Sequence, residues 1–333
     1  YSGTSDDIRP RRIIVPEQPP GQMPSGSPSN ERIRIGDWSL RDVIHAHRLW
    51  LEDKGGYRAN LTNASLADTE LEGVDLRNAV LAGVSFVDAN LSQANLAGAD
   101  LRGADMRNAK LYRADLARAD LTDVDFSHGW LAESNLSEAR LVSAKFRGAQ
   151  LRECRMFEVR MHSCDFSTAV LSGVAFNYSH IFGCDFSETE MEKAVFLHAR
   201  LDMCRFHEAK LDHANFSSAQ LPGCNFTGSQ CEGSNFESAN LKQCTFLRAS
   251  LAVCNFRNCN LSTADFSNAM LAGASFGDAQ LLAADFRGAI LRGARELTAY
   301  QLAQARSSFD TILPNGNNGP YVRGCNMERP QNL

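Results

Sequence analysis

Ala94-Asn95-Leu96-Ala97-Gly98-Ala99-Asp100-Leu101-Arg102-Gly103-Ala104-Asp105-Met106 repeats one short theme: a small residue, then Asp or Asn, then a bulky apolar residue, returning every five positions. Outward from that stretch the phase holds in both directions. From Leu61 to Leu291 every fifth residue is Leu, Phe, Met, Ile or, once, Cys231, giving 47 consecutive sites with no insertion or deletion. Leu fills 25 of them and Phe 16, and Ala stands two residues earlier in 27 cases, so the interior can be read off position by position. Length alone would suggest about two or three domains, a prior that does not apply to a repeating chain.

A period of five fits neither a helix nor a plain strand. It fits a chain that turns about 90° after each short extended segment and points two residues of every five inward, so that four units close a square coil of 20 residues. The phenylalanines test this independently. From Phe166 to Phe286 they recur at every tenth residue, with Leu, Met, Ile or Cys231 between them. On a 20-residue coil that alternation puts Phe on two opposite faces and aliphatic residues on the other two, where large and small side chains interdigitate. Cys164, Cys184, Cys204, Cys224 and Cys244 lie 20 apart and should stack in one interior column. Corners are marked by Gly, Asn, Asp or Ser two residues after the central site, as at Gly73, Gly98 and Gly228, types that tolerate the positive φ of a type II turn.

The A(D/N)LXX pattern resembles the pentapeptide-repeat family over about residues 57–295. The resemblance implies an all-β fold, a right-handed quadrilateral β-helix of about 12 coils, forming a rod on the order of 55 Å long. Around it the chain divides into a Pro/Gly/Ser-rich disordered arm (1–36), an N-terminal capping helix (37–56), the solenoid (57–295), a C-terminal capping helix (296–306) and an irregular tail (307–333). Caps are needed because the open ends of a solenoid expose unpaired backbone.

Net charge is -5 with a pI near 5.9, which argues against nucleic acid as a partner. No apolar run is long enough to span a membrane, and no signal peptide is visible. Of ten cysteines, eight fall on the small-residue phase and no CxxC pair occurs, so they read as small apolar packing residues in a reducing, cytoplasmic, bacterial setting. No nucleophile elbow, phosphate loop or HExxH motif appears, and the histidines are scattered. The chain is expected to be no enzyme and to use no cofactor or metal.

Outward positions carry the functional signal. One column reads Asp100, Asp120, Arg140, Arg160, His180, Arg200, Gln220, Asn240, Asn260: acid, then base, then amide. Arg140, Arg160, His180 and Arg200, with Phe182 on the same face, are candidates to bind a partner; Trp130 and Tyr112 on another face are candidate aromatic anchors. The competing reading has the arginines paired with Glu138 and Glu158. Function is expected to be that of a non-catalytic scaffold or protein–protein interaction module, as in family members that serve as effectors or secretion-system segments, with a homodimer allowed. The alternative implied by the family is a DNA-mimicking, gyrase-binding protein that protects against antibiotics. Residues 57–295 hold 23 Lys or Arg against 28 Asp or Glu, a weak acidic excess for that role.

Overall fold

The computed structural model describes residues 33–324, so residues 1–32, most of the expected disordered arm, lie outside the described residues. Four residues assigned to the arm or its boundary are ordered differently. Arg34–Ile35 (β1) and Trp38–Ser39 (β2) form an antiparallel hairpin, and Ile33 accepts a bond from the Leu40 amide at 2.9 Å. Helix α1 follows at Leu40–Leu51, with Ser39 and Asp42 closing a reciprocal capping box.

From Asn60 to Arg295 the chain winds as parallel bridges between residues 20 apart, the four-sided coil expected from the period and the right-handed quadrilateral β-helix that the family resemblance implies. One unit shows why five residues suffice. Asn215 donates to Ala194 O (2.9 Å) and Phe216 to Asn235 O (2.7 Å), one bond to each neighbouring coil. At the corner Ser218 donates to Glu237 O (2.9 Å), and Ala219 closes the turn on Phe216 O (3.0 Å). The remaining amide, Ser217, donates to the Asn215 side-chain oxygen at 3.0 Å. That is an Asx turn, and it is the physical reason for Asp or Asn before the central residue. All five amides are then satisfied, as a buried backbone requires.

The corners depart from expectation in one respect. Positive φ is adopted two residues after the central site by Val253 (51°), Met203 (56°) and Tyr178 (58°), as well as by Gly, Asn and Asp. Such conformations cost about 1–2 kcal/mol for an ordinary residue. The corner amide offsets this by bonding the next coil, as Val253 does to Ala272 O at 2.9 Å. Ladder pairing thus overrides local preference.

Inside, the phenylalanines occupy two opposite faces. Rings 20 apart stack, as Phe186–Phe206 (5.1 Å) and Phe206–Phe226 (4.7 Å) do, and rings 10 apart meet edge to face, as Phe206–Phe216 do at 6.1 Å and 85°. Both geometries suit the quadrupole of the ring.

Buried polar side chains close both ends, His47 at the first coil and Gln301 with Thr311 at the last. His47 of α1 accepts from the Ala59 amide at Nδ1 (3.0 Å), which leaves Nε2–H to donate to Arg77 O (3.1 Å). At the other end α2 spans Ala299–Gln304, and Gln301 donates through Nε2 to Phe276 O (2.8 Å) and Ala279 O (2.9 Å). The segment after α2, expected to be irregular, in part continues the solenoid. Arg306 and Ile312 bridge in parallel to Asp285 and Ile290, and Asn318 then pairs antiparallel with Ile312. An exposed last coil presents unpaired groups that template this pairing whatever the composition of the tail.

Candidate partner-binding face

On one face the solenoid changes character for four coils. Arg140–Val142 (β3), Arg160–His162 (β4), His180–Phe182 (β5) and Arg200–Asp202 (β6) are three-residue strands in a parallel sheet, where other positions make single bridges. Arg or His at the first position offers no Asx acceptor, although Lys110, Trp130 and Arg205 lack one too and keep the usual corner; here residues 142, 162, 182 and 202 run on in extended conformation. The corner bonds from the amides of Ala144, Cys164, Cys184 and Cys204 to the carbonyls three residues back, made at most other corners, are not formed. Thiols partly take their place: Cys164 donates to Leu141 O (3.3 Å), Cys204 to Ile181 O (3.8 Å) and Cys224 to Leu201 O (3.1 Å).

The result is a shallow groove of about 620 Å³ with two outward columns, Arg140, Arg160, His180, Arg200 and Val142, His162, Phe182, Asp202. Phe182 is 48% exposed and stacks on His162 at 5.1 Å, and Tyr178 stacks on His198 at 5.3 Å along the adjoining corner. Neighbouring rungs lie about 4.8 Å apart.

Ion pairing here differs from the pairing weighed from sequence. Glu138 meets Arg118 (3.8 Å), Arg140 turns to Asp120 (3.2 Å) and Thr122, and Glu158 is no ion-pair partner of Arg160. Among the described residues neither Arg160 nor Arg200 has a carboxylate within 4.0 Å. The acidic stretch is the opposite case. Asp100 of the column is gripped by Arg102, and Asp105 of the adjoining face by Arg107, each in two bonds of 2.6–2.8 Å. Those guanidinium bonds hold both carboxyls below the usual range. Such i, i+2 pairs were not anticipated, although Asp-x-Arg is visible at 75–77, 100–102, 105–107 and 285–287. Further along the column Asn240 donates to Gln220 Oε1 at 3.1 Å, the amide pairing expected there.

The seven candidate residues do not form one site. Arg140, Arg160, His180, Arg200 and Phe182 share the groove face, whereas Trp130 bridges Lys110 and Gln150 on the opposite face. Tyr112 lies beside that opposite face, with its hydroxyl on Glu133 (3.0 Å) and Arg113 over its ring at 4.8 Å. Trp130 is 59% exposed.

The cysteine column is packing. All nine cysteines among the described residues are free and buried, and burial pushes the thiols of Cys154, Cys231, Cys244 and Cys259 up to about 12. Thiolate, the reactive form, is suppressed at those four; the Cys164 thiol is instead pulled down by its hydrogen bond with Cys184, and there burial alone keeps reagents out. In a Cys325→Ser protein an aromatic disulfide reagent should titrate no thiol under native conditions and all nine after denaturation. Rapid native labelling of even one would overturn this reading. No group of three or more His, Cys, Asp or Glu is arranged to hold a metal ion among the described residues. No described helix is long and apolar enough to cross a membrane.

The comparisons with known proteins agree with this architecture. A family model described as a pentapeptide repeat region matches residues 159–236 and 224–295. Another, described as pentapeptide repeats (8 copies), matches 59–96, 89–127, 119–156 and 134–173. The chain belongs to the pentapeptide-repeat family. Among solved structures it is similar to HetL, a pentapeptide repeat protein involved in heterocyst differentiation regulation from the cyanobacterium Nostoc. The identity is 24%, over 82% of this chain and 97% of that one, with a TM-score of 0.26. It is also similar to a trypsin-treated form of QnrB1, a plasmid-mediated fluoroquinolone resistance protein, at 19% identity over 53% and 90%, TM-score 0.26. A pentapeptide repeat protein from the Arabidopsis thaliana thylakoid lumen shares 27% identity over 35% and 67%, TM-score 0.18. No curated protein sequence matches the chain.

Proposed function

We propose that the chain is a non-catalytic scaffold that docks a partner protein on the face formed by β3–β6. One observation carries this reading: among the described residues Arg160 and Arg200 stand exposed and without ion-pair partners beside exposed Phe182, on the face where the repeat abandons its usual corner. Other cations, Arg147 and Arg248 among them, also lack an ion-pair partner among the described residues, but two unmatched guanidiniums in a groove beside an exposed aromatic ring form a surface with much to gain from a partner. A setting in a bacterial cytoplasm fits the free cysteines and stays part of the proposal.

DNA mimicry of the gyrase-binding kind gains no support from the groove. Its acidic column is neutralised by Arg102 and Arg140, Asp105 on the adjoining face is neutralised by Arg107, and the stretch that follows in the column is basic.

A photo-cross-linking residue at position 180 should give one defined adduct in cells of the source organism. The same residue at Gln230, on the opposite face, should give none. Adding Arg160→Ser and Arg200→Ser should remove the adduct. Adducts at both positions, or at neither, would overturn the assignment of this face. A type II topoisomerase as the adduct would shift support to the gyrase-binding alternative.

A further inference from the structure

The chemistry of the groove says more about its occupant than that it is a protein. Ten residues line it, among them three arginines and two histidines against a single carboxylate, that of Asp202. Arg140 is already engaged by Asp120, so the cations left for a ligand are Arg160 and Arg200. They occupy rungs two coils apart in a parallel ladder, with His180 between them. Two rungs of a parallel sheet span about 9.6 Å. Phe182 stands in the next column over, level with His180 and stacked on His162.

Resting on the reading above that this face docks a protein, we infer that the groove takes an extended acidic segment of the partner. That segment lies along the solenoid axis, with carboxylates three residues apart on Arg160 and Arg200 and its apolar side against Phe182.

The spacing carries the backbone conformation. In a polyproline II segment residues i and i+3 point the same way and lie about 9.3 Å apart, close to the separation of the two arginine rungs. A regular β-strand repeats its facing side chains at about 6.7 Å, a length between one and two rungs. Arginine receives carboxylate in a fork of two parallel N–H bonds, as Arg102 and Arg107 already do within this chain. Asp202, level with Arg200 in the next column, and Glu158, at the corner beside Arg160, flank the arginine column on its two sides, which penalises a partner carboxylate displaced sideways from the guanidiniums.

The test uses the full chain and labelled synthetic peptides read by fluorescence anisotropy. A peptide of about six Pro-Pro-Glu triplets should bind, and its affinity should fall as salt rises. A Pro-Glu peptide of equal charge, a Pro-Pro-Lys peptide and a helical peptide with Glu every seventh residue should bind at least about tenfold more weakly. Arg160→Ser with Arg200→Ser should weaken the first peptide by about tenfold or more. Arg147→Ser with Arg248→Ser, the same change in net charge elsewhere, should leave it unaltered. Melting curves confirm that both double variants are folded. Equal loss in the two double variants, indifference to spacing, or tighter binding of a DNA duplex than of the peptide would each overturn the inference. If every peptide fails while the adduct at position 180 persists, the docking face stands and its acidic occupant is wrong. If both fail, the face itself is wrong.

Discussion

Phe206→Ala should lower the stability of the solenoid by about 3–5 kcal/mol, the range for emptying a buried phenylalanine site. Phe206 is fully buried and holds four ring contacts: stacked with Phe186 and Phe226, edge to face with Phe196 and Phe216. Relaxation around the void is restricted because the rungs above and below are fixed by inter-coil bonds such as Phe206 N–H to Asn225 O at 2.7 Å. Phe206→Leu keeps most of the volume and should cost clearly less, under about 2 kcal/mol. Phe286, with two ring contacts, should lose less than Phe206 on the same change to Ala. Long repeat arrays can depart from two-state unfolding, so the comparison is of denaturant midpoints among variants with a common slope. A shift below about 1 kcal/mol for Phe206→Ala, or equal midpoints for Ala and Leu, would refute the role of the ring stacks.

That prediction was readable before any coordinate, because a phase kept for 47 sites leaves one arrangement of the core. Steric exclusion inside a narrow square coil is a strong and repeated constraint, and repetition makes it legible. The candidate face was only half legible. The column from Arg140 to Arg200 follows from the 20-residue coil, whereas its second column, Val142 to Asp202, depends on four corners opening together, and nothing in the local residue types requires that. Pairing was hidden for a different reason. Asp100 serves both as Asx acceptor for the Arg102 amide (3.3 Å) and as ion-pair partner of its guanidinium, a double role that charge counting along a column does not see. The ends were the least legible part. Repeat logic stops there, and closure rests on single side chains whose partners lie tens of residues away. His47 did offer a signal: with Leu40, Val43 and Ile44 it completes the apolar stripe of α1, an odd place for a solvated histidine.

His47→Leu should therefore release the first coil. The change strands the Ala59 amide and the Arg77 carbonyl, and a buried backbone group without a partner costs about 1–3 kcal/mol. Hydrogen exchange at Ala59 and Val80, the first rungs beneath α1, should speed up by at least about tenfold, while rungs around Phe226 should be unaffected. A second consequence is pH-dependent. Nδ1 can accept from Ala59 only in the neutral ring, and burial lowers the pKa of His47. The Arg77 bond and the charge of Asp75 pull the other way, and Arg58 and Arg77 add to the lowering. Because the folded pKa lies below the unfolded value of about 6.5, the unfolded end binds the proton first. The contribution of the cap is then complete above about pH 6.5 and is lost as pH falls from there through the folded pKa. Protection at Ala59, corrected for intrinsic exchange, should decline over that acid window in the wild type. In His47→Leu it should be low and flat. Equal pH dependence in the two proteins, or none in the wild type between about pH 7.5 and 5, would show that the ring does not close this end.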